Sequence, residues 1–255
     1  MSDKEFHLRI TSESHPGRKR PNNEDHFAVD ESLGIIVLAD GMGGHRSGEV
    51  ASEIATRSLM SKLKTLSTSD SAEAASNSRF LEGIRLAIAE TNSSIFQAAS
   101  DNVVHKGMGT TVVAIMLSGS SINVGHVGDS RLYCFRRDKL TRLTKDHSLV
   151  QDLVDRGLYT EEQARAASVS HILTRSLGLK EQVEIDVLSA DIETGDLLMI
   201  CSDGLTDMVA DWQIRETLKD LSNSPETAIQ KLIETANYNG GRDNISVILA
   251  QVDSG

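Results

Sequence analysis

Apolar positions along the chain follow two spacings, and the switches between them lay out its elements. Near the N-terminus FHLRITSES alternates as a strand does, and HFAVD and GIIVLAD flank a turn at 31–34, which predicts a hairpin. From Gly48 the spacing becomes helical: Val50, Ala51, Ile54, Ala55, Leu59 and Leu63 share one face through about Leu66. The small polar stretch 67–78 reads as a loop, and a second helix from about Arg79 gathers Phe80, Ile84, Ala87, Ile88, Thr91 and Ile95 on one face. Short β-rich runs at 110–117, 121–127 and 131–135, separated by Gly and Ser, predict an antiparallel meander. Residues 147–176 change to a polar, short-helix pattern that reads as an insertion, before strands resume at 183–188 and 196–202. Two helices, near 213–221 and 225–237, precede a last strand at 245–252. Strands in hairpin order, without βαβ alternation, predict an α+β fold of two antiparallel sheets packed face to face with helices outside.

No internal repeat and no convincing linker divides the sequence, so residues 1–255 are expected to form a single domain. No apolar run reaches the roughly 18 to 20 residues needed to span a bilayer, and MSDKEFHLRI lacks the basic flank and apolar core of a signal peptide. The expectation is a cytoplasmic protein without a membrane partner. Cys134 and Cys201 fall inside strand-like runs and are expected to be buried thiols rather than a disulfide. The 26 basic and 37 acidic residues leave a net charge of −11, which argues against a nucleic-acid-binding surface. An anionic substrate is compatible with that charge only where metal ions or a placed arginine supply local positive potential.

Candidate chemistry gathers where strands end. IIVLAD runs into Gly41, INVGHVGD into Ser130, LLMICSD into Gly204, and RD into Asn244 ahead of ISVILA, so Asp40, Asp129, Asp203 and Asp243 each sit beside a turn. One such aspartate is ordinarily a cap or turn former. Four at one sheet rim would repel each other unless cations lay between them, and the all-oxygen choice is Mg²⁺ or Mn²⁺. In ADGMGGH the glycines let the Asp40 carboxylate and a carbonyl oxygen face one cation. GRKRPNNED brings Arg20, able to hold phosphate oxygens with a bidentate fork, close to Glu24 and Asp25, which can grip a metal or its waters. Asn244 can orient neighbouring backbone or a metal-bound water, and GMGTT at 107–111 reads as backbone geometry near the site. His45 has two readings, a proton donor to a leaving alkoxide or a helix-start histidine with a local partner. His126 and His147 read as structural, and neither HExxH nor CxxC occurs.

Taken in order, GRKRPNNED, LADGMGGH, GMGTT, VGDSRLY, LTKDHS, RSLG, DLLMICSDGL and GGRDNIS resemble the metal-dependent serine/threonine phosphatases of the PP2C (PPM) family, particularly its compact bacterial members, across residues 17–248. The resemblance implies an α-β-β-α sandwich with a binuclear Mn²⁺ or Mg²⁺ centre at one end. Asp40 would bridge both metals, the Gly41 carbonyl would serve one, Asp203 and Asp243 would complete the other, and Glu24 and Asp25 would act mainly through waters. Asp129, helped by Asp203, would hold a third, weaker ion. Arg20 matches the phosphate-binding arginine, and 147–176 matches a mobile flap that affects substrate choice. The family's animal members place a histidine directly after the DG pair, where this chain has Met42; His45 matches the histidine of the bacterial motif. The implied activity is hydrolysis of phosphoserine and phosphothreonine in proteins by direct attack of a metal-bridging water. The implied setting is a monomer opposing a cognate Ser/Thr kinase. A phosphatase-fold binding module without catalysis and a phosphodiesterase are the rival readings. Retention of the whole carboxylate set speaks against the first, and the lack of a His-rich metal set against the second.

Overall fold

A computed structural model describes residues 6–43, 47–68, 77–167, 169 and 171–254, the side chains of 165 and 166 excepted. Strands β1 (Phe6–His15), β2 (Asp25–Asp30) and β3 (Ile35–Met42) come first, with a 3-10 turn at Glu31–Leu33 closing the β2–β3 hairpin. Helices α1 (Ser47–Thr68) and α2 (Asn77–Asp101) follow, then β4 (Gly109–Thr110), β5 (Val112–Ser118), β6 (Ser121–Val127), β7 (Arg131–Arg136) and β8 (Lys139–Arg142). Short helices α3 (Leu149–Asp155) and α4 (Glu161–Ala166) precede β9 (Asp186–Asp191) and β10 (Leu197–Cys201). Then come α5 (Asp203–Thr206), α6 (Asp211–Leu221), α7 (Pro225–Tyr238) and β11 (Ile245–Ser254).

The strands form two antiparallel sheets, one in the order β1-β11-β10-β7-β8 and the other β2-β3-β5-β6-β9, with β4 paired to β3. Their inner faces meet in one apolar layer. In β3, Ile36 and Leu38 point between the sheets while Ile35, Val37 and Ala39 point to α1 and α2; in β10, Leu198 and Ile200 point inward while Leu197, Met199 and Cys201 face α6 and α7. Central strands covered on both faces have no exposed side to require polar residues, which is why IIVLA and LLMIC are unbroken apolar runs. The expected α+β sandwich, two sheets with helices outside, is the fold observed. Both cysteines are free and buried.

Three local expectations change. The runs at 110–117, 121–127 and 131–135 are not one meander: β5 pairs with β6, but β7 leaves for the other sheet and pairs with β10. Burial on both faces gives β6 no polarity pattern to say where its neighbour lies, and the turn at 128–130 carries the chain across the sandwich. The strand placed at 183–188 begins instead at Asp186, because Val183 packs against the α2 layer before the ladder starts. Strand β8 was not expected, since KLTR is a short polar edge strand without an apolar signal. The loop placed at 67–78 lies mostly outside the described residues; α1 continues through Thr68 and α2 begins at Asn77.

Antiparallel pairing decides where the strand ends fall. β3 and β6 both pair antiparallel with β5, so their C-termini share one end, and the N-terminus of β2 joins them. In the other sheet the C-terminus of β10 meets the N-termini of β11 and β7. The direct β6–β7 crossover makes these the same end of the sandwich. Asp25, Asp40, Asp129, Asp203 and Asp243 are therefore collected there by topology alone.

The inter-sheet layer should carry much of the stability. Ile200 is fully buried in it, and Ile200→Ala is expected to lower the free energy of unfolding by about 2–5 kcal/mol in denaturant titration; a loss under about 1 kcal/mol would contradict that packing role.

Candidate metal centre

Asp40 is the most constrained of the acidic residues. Its backbone N–H donates to Thr111 Oγ1 (3.1 Å), and its carbonyl accepts from Thr111 N (2.9 Å) and Thr110 Oγ1 (2.8 Å). Thr111 Oγ1 also meets Ser130 Oγ at 2.7 Å, so the GMGTT segment ties the Asp40 strand to the turn that carries Asp129. Next to it, Gly41 donates its N–H to the Glu24 carbonyl (3.1 Å), and a Cβ at Gly41 would lie 2.1 Å from the Gly48 carbonyl oxygen. Only glycine lets β3, the Glu24 loop and the start of α1 approach so closely.

Asp25 pairs directly across from Asp40 in the β2–β3 ladder. Its Oδ2 accepts from Ser202 Oγ (2.8 Å) and Ser246 Oγ (2.7 Å) of the opposite sheet, a polar stitch at the sandwich end. Asn244 is a second clamp. Its Oδ1 accepts from Glu24 N (2.7 Å), and its Nδ2 donates to the carbonyls of Pro16 (3.0 Å) and Asn22 (2.9 Å). Of the two roles open to Asn244, orientation of backbone is the one these bonds display. Asp203 opens α5, where a Cβ on Gly204 would stand 1.9 Å from the Asn244 carbonyl oxygen, so this turn too is pressed against its neighbour. Arg20 Nη2 donates to Asp243 Oδ2 at 2.6 Å, and Asp243 Oδ1 accepts from Asn244 N at 2.9 Å. Asp129 sits in the crossover, which is braced by Arg131: its Nε and Nη2 donate to Asp146 at 3.0 and 2.6 Å.

These elements enclose a cavity of about 270 Å³ lined by Arg20, Glu24, Asp40, Gly41, Asp129, Asp203 and Asp243. Asp25 lies below it, buried, and does not line it. His45 falls outside the described residues. Thr111 of the GMGTT turn lines the cavity, as its place near the site implied, whereas two residues escaped the sequence reading: His171 lines the cavity, and Asp207 sits one turn beyond Asp203, donating its N–H to the Asp203 carbonyl (2.8 Å). The spacing SDGLTD, four residues along a helix, was the signal for Asp207. His171 gave none, because nothing local joins it to the strand ends. A larger cavity of about 600 Å³ shares Asp129 and Asp203 with the first and extends toward α3, α4 and α6.

Burial and mutual repulsion raise several of the carboxyls. Asp40 and Asp203 are both raised, first by desolvation and then by neighbouring aspartates. Asp129 is pushed up to about 7 by burial and then by Asp146, and Asp25 to about 6 by burial against the relief of its serine bonds. Glu24 and Asp207 shift upward, chiefly through burial. Among the described residues, Asp25 Oδ1 and Asp203 Oδ1 are buried without a hydrogen-bond partner. Unpartnered hard oxygens in a crowd of like charge are what a divalent cation satisfies, so the residues present fit Mg²⁺ or Mn²⁺.

A separate grouping of His126, His147 and Asp186 has potential ligand atoms within 4.8 Å of one another. Most of its bonds are already allotted, although His126 Nδ1 is buried without a partner among the described residues. Gly128 N donates to His147 Nδ1 (3.1 Å), which leaves the ring proton on Nε2 facing Asp186 Oδ2 at 3.4 Å, and Arg175 donates to Asp186 (2.8 Å). Burial lowers His147 to about 4, so the ring is neutral, and it stacks on His126 with centroids 4.7 Å apart. This cluster ties residue 147 to the crossover turn, a structural role.

An α-β-β-α sandwich with a carboxylate-lined, cation-demanding cavity at one end, faced by an arginine, defines a metal-dependent phosphatase. The protein phosphatase 2C family model matches residues 12–240, and the chain belongs to that family. It is 40% identical over 240 residues to the serine/threonine phosphatase stp of Listeria monocytogenes, with 93% of each chain covered. The crystal structure of the Mycobacterium tuberculosis serine/threonine phosphatase PstP/Ppp aligns with a TM-score of 0.85 and 35% identity over 97% of this chain and 99% of the other. A structure of the PstP catalytic domain in complex with two manganese ions aligns with a TM-score of 0.83, also at 35% identity, over 98% of this chain and all of that one (100%).

The raised carboxyls bind protons more tightly in the folded, metal-free protein than in the unfolded chain. Their contribution is therefore largest at low pH and is lost as pH rises from about 4 to about 7. Bound cations reverse that preference, so the increase in melting temperature on adding Mn²⁺ is expected to grow across this range. Thermal scans with Mn²⁺ and with chelator would show it; an increment independent of pH would contradict the electrostatic account.

Proposed function

We propose that Asp40, Asp203 and Asp243, with the Gly41 carbonyl, hold a pair of divalent cations, that Glu24 and Asp25 support them through water, and that Asp129 with Asp203 holds a looser third ion. The enzyme is a metal-dependent serine/threonine protein phosphatase, and its substrates are phosphoproteins. Mn²⁺ or Mg²⁺ bound there supplies Lewis acidity, acidifying water and neutralising phosphoryl charge. The observation that carries this assignment is the meeting of four strand-end carboxylates and Arg20 around one cavity.

The chain's own residues supply position and charge. Among the described residues lining the cavity Arg20 is the fixed cation, about half exposed, with its proton held more firmly by the Asp243 hydrogen bond, so it can donate to the phosphoryl oxygens of an incoming side chain. In a protein of net charge −11 that local cation matters for drawing a phosphorylated segment in. The Thr111 and Asn244 hydrogen bonds hold the backbone that carries Asp40 and Glu24 in place before substrate arrives, which limits reorganisation during the reaction. Attack by water needs no phosphoenzyme. Both cysteines are poor nucleophiles, their thiols pushed up to about 11 at Cys134 and about 12 at Cys201 by burial.

Residues 147–176, which pass beside the larger cavity, are the segment best placed to select substrates. Among the described residues no helix is long and apolar enough to cross a membrane. A monomer acting in the cytoplasm against a cognate Ser/Thr kinase is the setting that accords with these features, and phosphoproteomes with and without the protein would identify its targets.

Asp40→Asn or Asp203→Asn is expected to reduce Mn²⁺-dependent hydrolysis of a phosphopeptide by roughly two to three orders of magnitude, the scale of losing one electrostatic element of an active site, with the fold intact by circular dichroism. Asp129→Ala should slow turnover while calorimetry still detects the two tighter ions. Full activity of the Asp40 variant at saturating Mn²⁺ would sink the assignment.

A further inference from the structure

Release of serine or threonine from a phosphate ester leaves an alkoxide, which has to gain a proton as the P–O bond breaks. The groups around the cavity are unequally suited to give one. The aspartates are committed to cations on the reading above, and Arg20 retains its proton. The Thr111 hydroxyl is engaged by Asp40 N and Ser130 Oγ. Met42, directly after Gly41, lines the cavity but carries no proton to give. His126 and His147 do not line it, and their bonds to Lys145 O and Gly128 N hold them in the support beneath the crossover turn. One imidazole remains among the described residues that line the cavity: His171.

We propose that His171 is the general acid of this phosphatase. Its place is set by backbone rather than by its own side chain. The next residue, Ile172, accepts at its carbonyl from Leu149 N (2.8 Å) and donates its N–H to Val169 O (3.1 Å). Leu173, which also lines the cavity, forms a bridge with Ser148, and Thr174 N donates to His147 O (2.9 Å). His171 is thus mounted at the end of an anchored segment and lines the same cavity as Arg20. Among the described residues its ring has no hydrogen-bond partner, and it is exposed, so it can deliver a proton inward and recover one from solvent.

The step balances simply. Water forms the new P–O bond and releases a proton to solvent, while the old P–O electron pair passes to the departing oxygen, which takes the His171 proton. Inorganic phosphate and a free hydroxyl result. This inference rests on the phosphatase reading, including the commitment of the cavity's aspartates to cations.

The test is the dependence of kcat on the leaving group for wild type, His171→Gln and His171→Ala, across aryl phosphates of increasing phenol pKa and a phosphoserine peptide. His171→Gln should make that dependence steeper, with a loss of about 100-fold on the peptide and a much smaller loss on p-nitrophenyl phosphate, whose leaving group needs little protonation. Added imidazole should restore part of the peptide activity of His171→Ala, and the Mn²⁺ isotherm of the Gln variant should match wild type. An equal loss on every substrate, an unchanged slope, or a steepened slope in His45→Gln alone would overturn the assignment. Absence of Mn²⁺-dependent hydrolysis by wild type would instead refute the phosphatase reading itself.

Discussion

Everything at the working end of this protein depends on holding like charges together in a place with little water. Two antiparallel sheets bring the ends of β2, β3, β6, β10 and β11 to a single edge, and each delivers an acidic side chain. Desolvation penalises Asp25, Asp40, Asp129 and Asp203 as anions, and neighbouring carboxylates add repulsion. The framework offsets only part of this. Ser202 and Ser246 bond one oxygen of Asp25, and Arg20 pairs with Asp243, but the other oxygen of Asp25 and one of Asp203 have no partner among the described residues. The deficit is specific in kind: it calls for positive charge with several oxygen ligands, which is the chemistry of a divalent cation.

Stability is supplied away from the site. The layer between the sheets and the two helix-covered outer layers are apolar and continuous, so the sandwich can carry a strained edge. The contacts that position the site are made largely by backbone and by small polar side chains. Gly41 and Gly204 permit near-contact of neighbouring chains, and Thr111 and Asn244 bridge segments that are distant in sequence. Such contacts leave the carboxylates little freedom. The segment at 147–176 is a different case: short helices over a larger cavity, closed on itself by the Ser148–Leu173 bridge and joined to the core through the His147 bonds to Gly128 and the Arg175–Asp186 pair.

Much of this was legible in the chain because strand-end aspartates follow apolar runs buried on both faces, a pattern that survives without neighbours. Helices α1, α2, α6 and α7 were readable from one-sided spacing. The β6–β7 crossover was not, since a strand covered on both faces carries no mark of which sheet its successor joins. β8 was hidden by its polar edge character, and Asp25 sits below the cavity rather than in its lining because its serine partners come from strands more than 170 residues away in sequence. His171 was invisible for the same reason: only the fold brings it to Arg20 and Asp40.

The central claim is that protonated, crowded carboxyls give way to cations. Titrating Mn²⁺ into metal-free protein near pH 6.5, in buffers that differ in protonation enthalpy, measures it directly. Because Asp129 and Asp25 are raised to about 7 and about 6, the account predicts that binding releases protons, seen as an apparent enthalpy that varies linearly with the buffer's. Tight binding with an enthalpy identical in every buffer would contradict it.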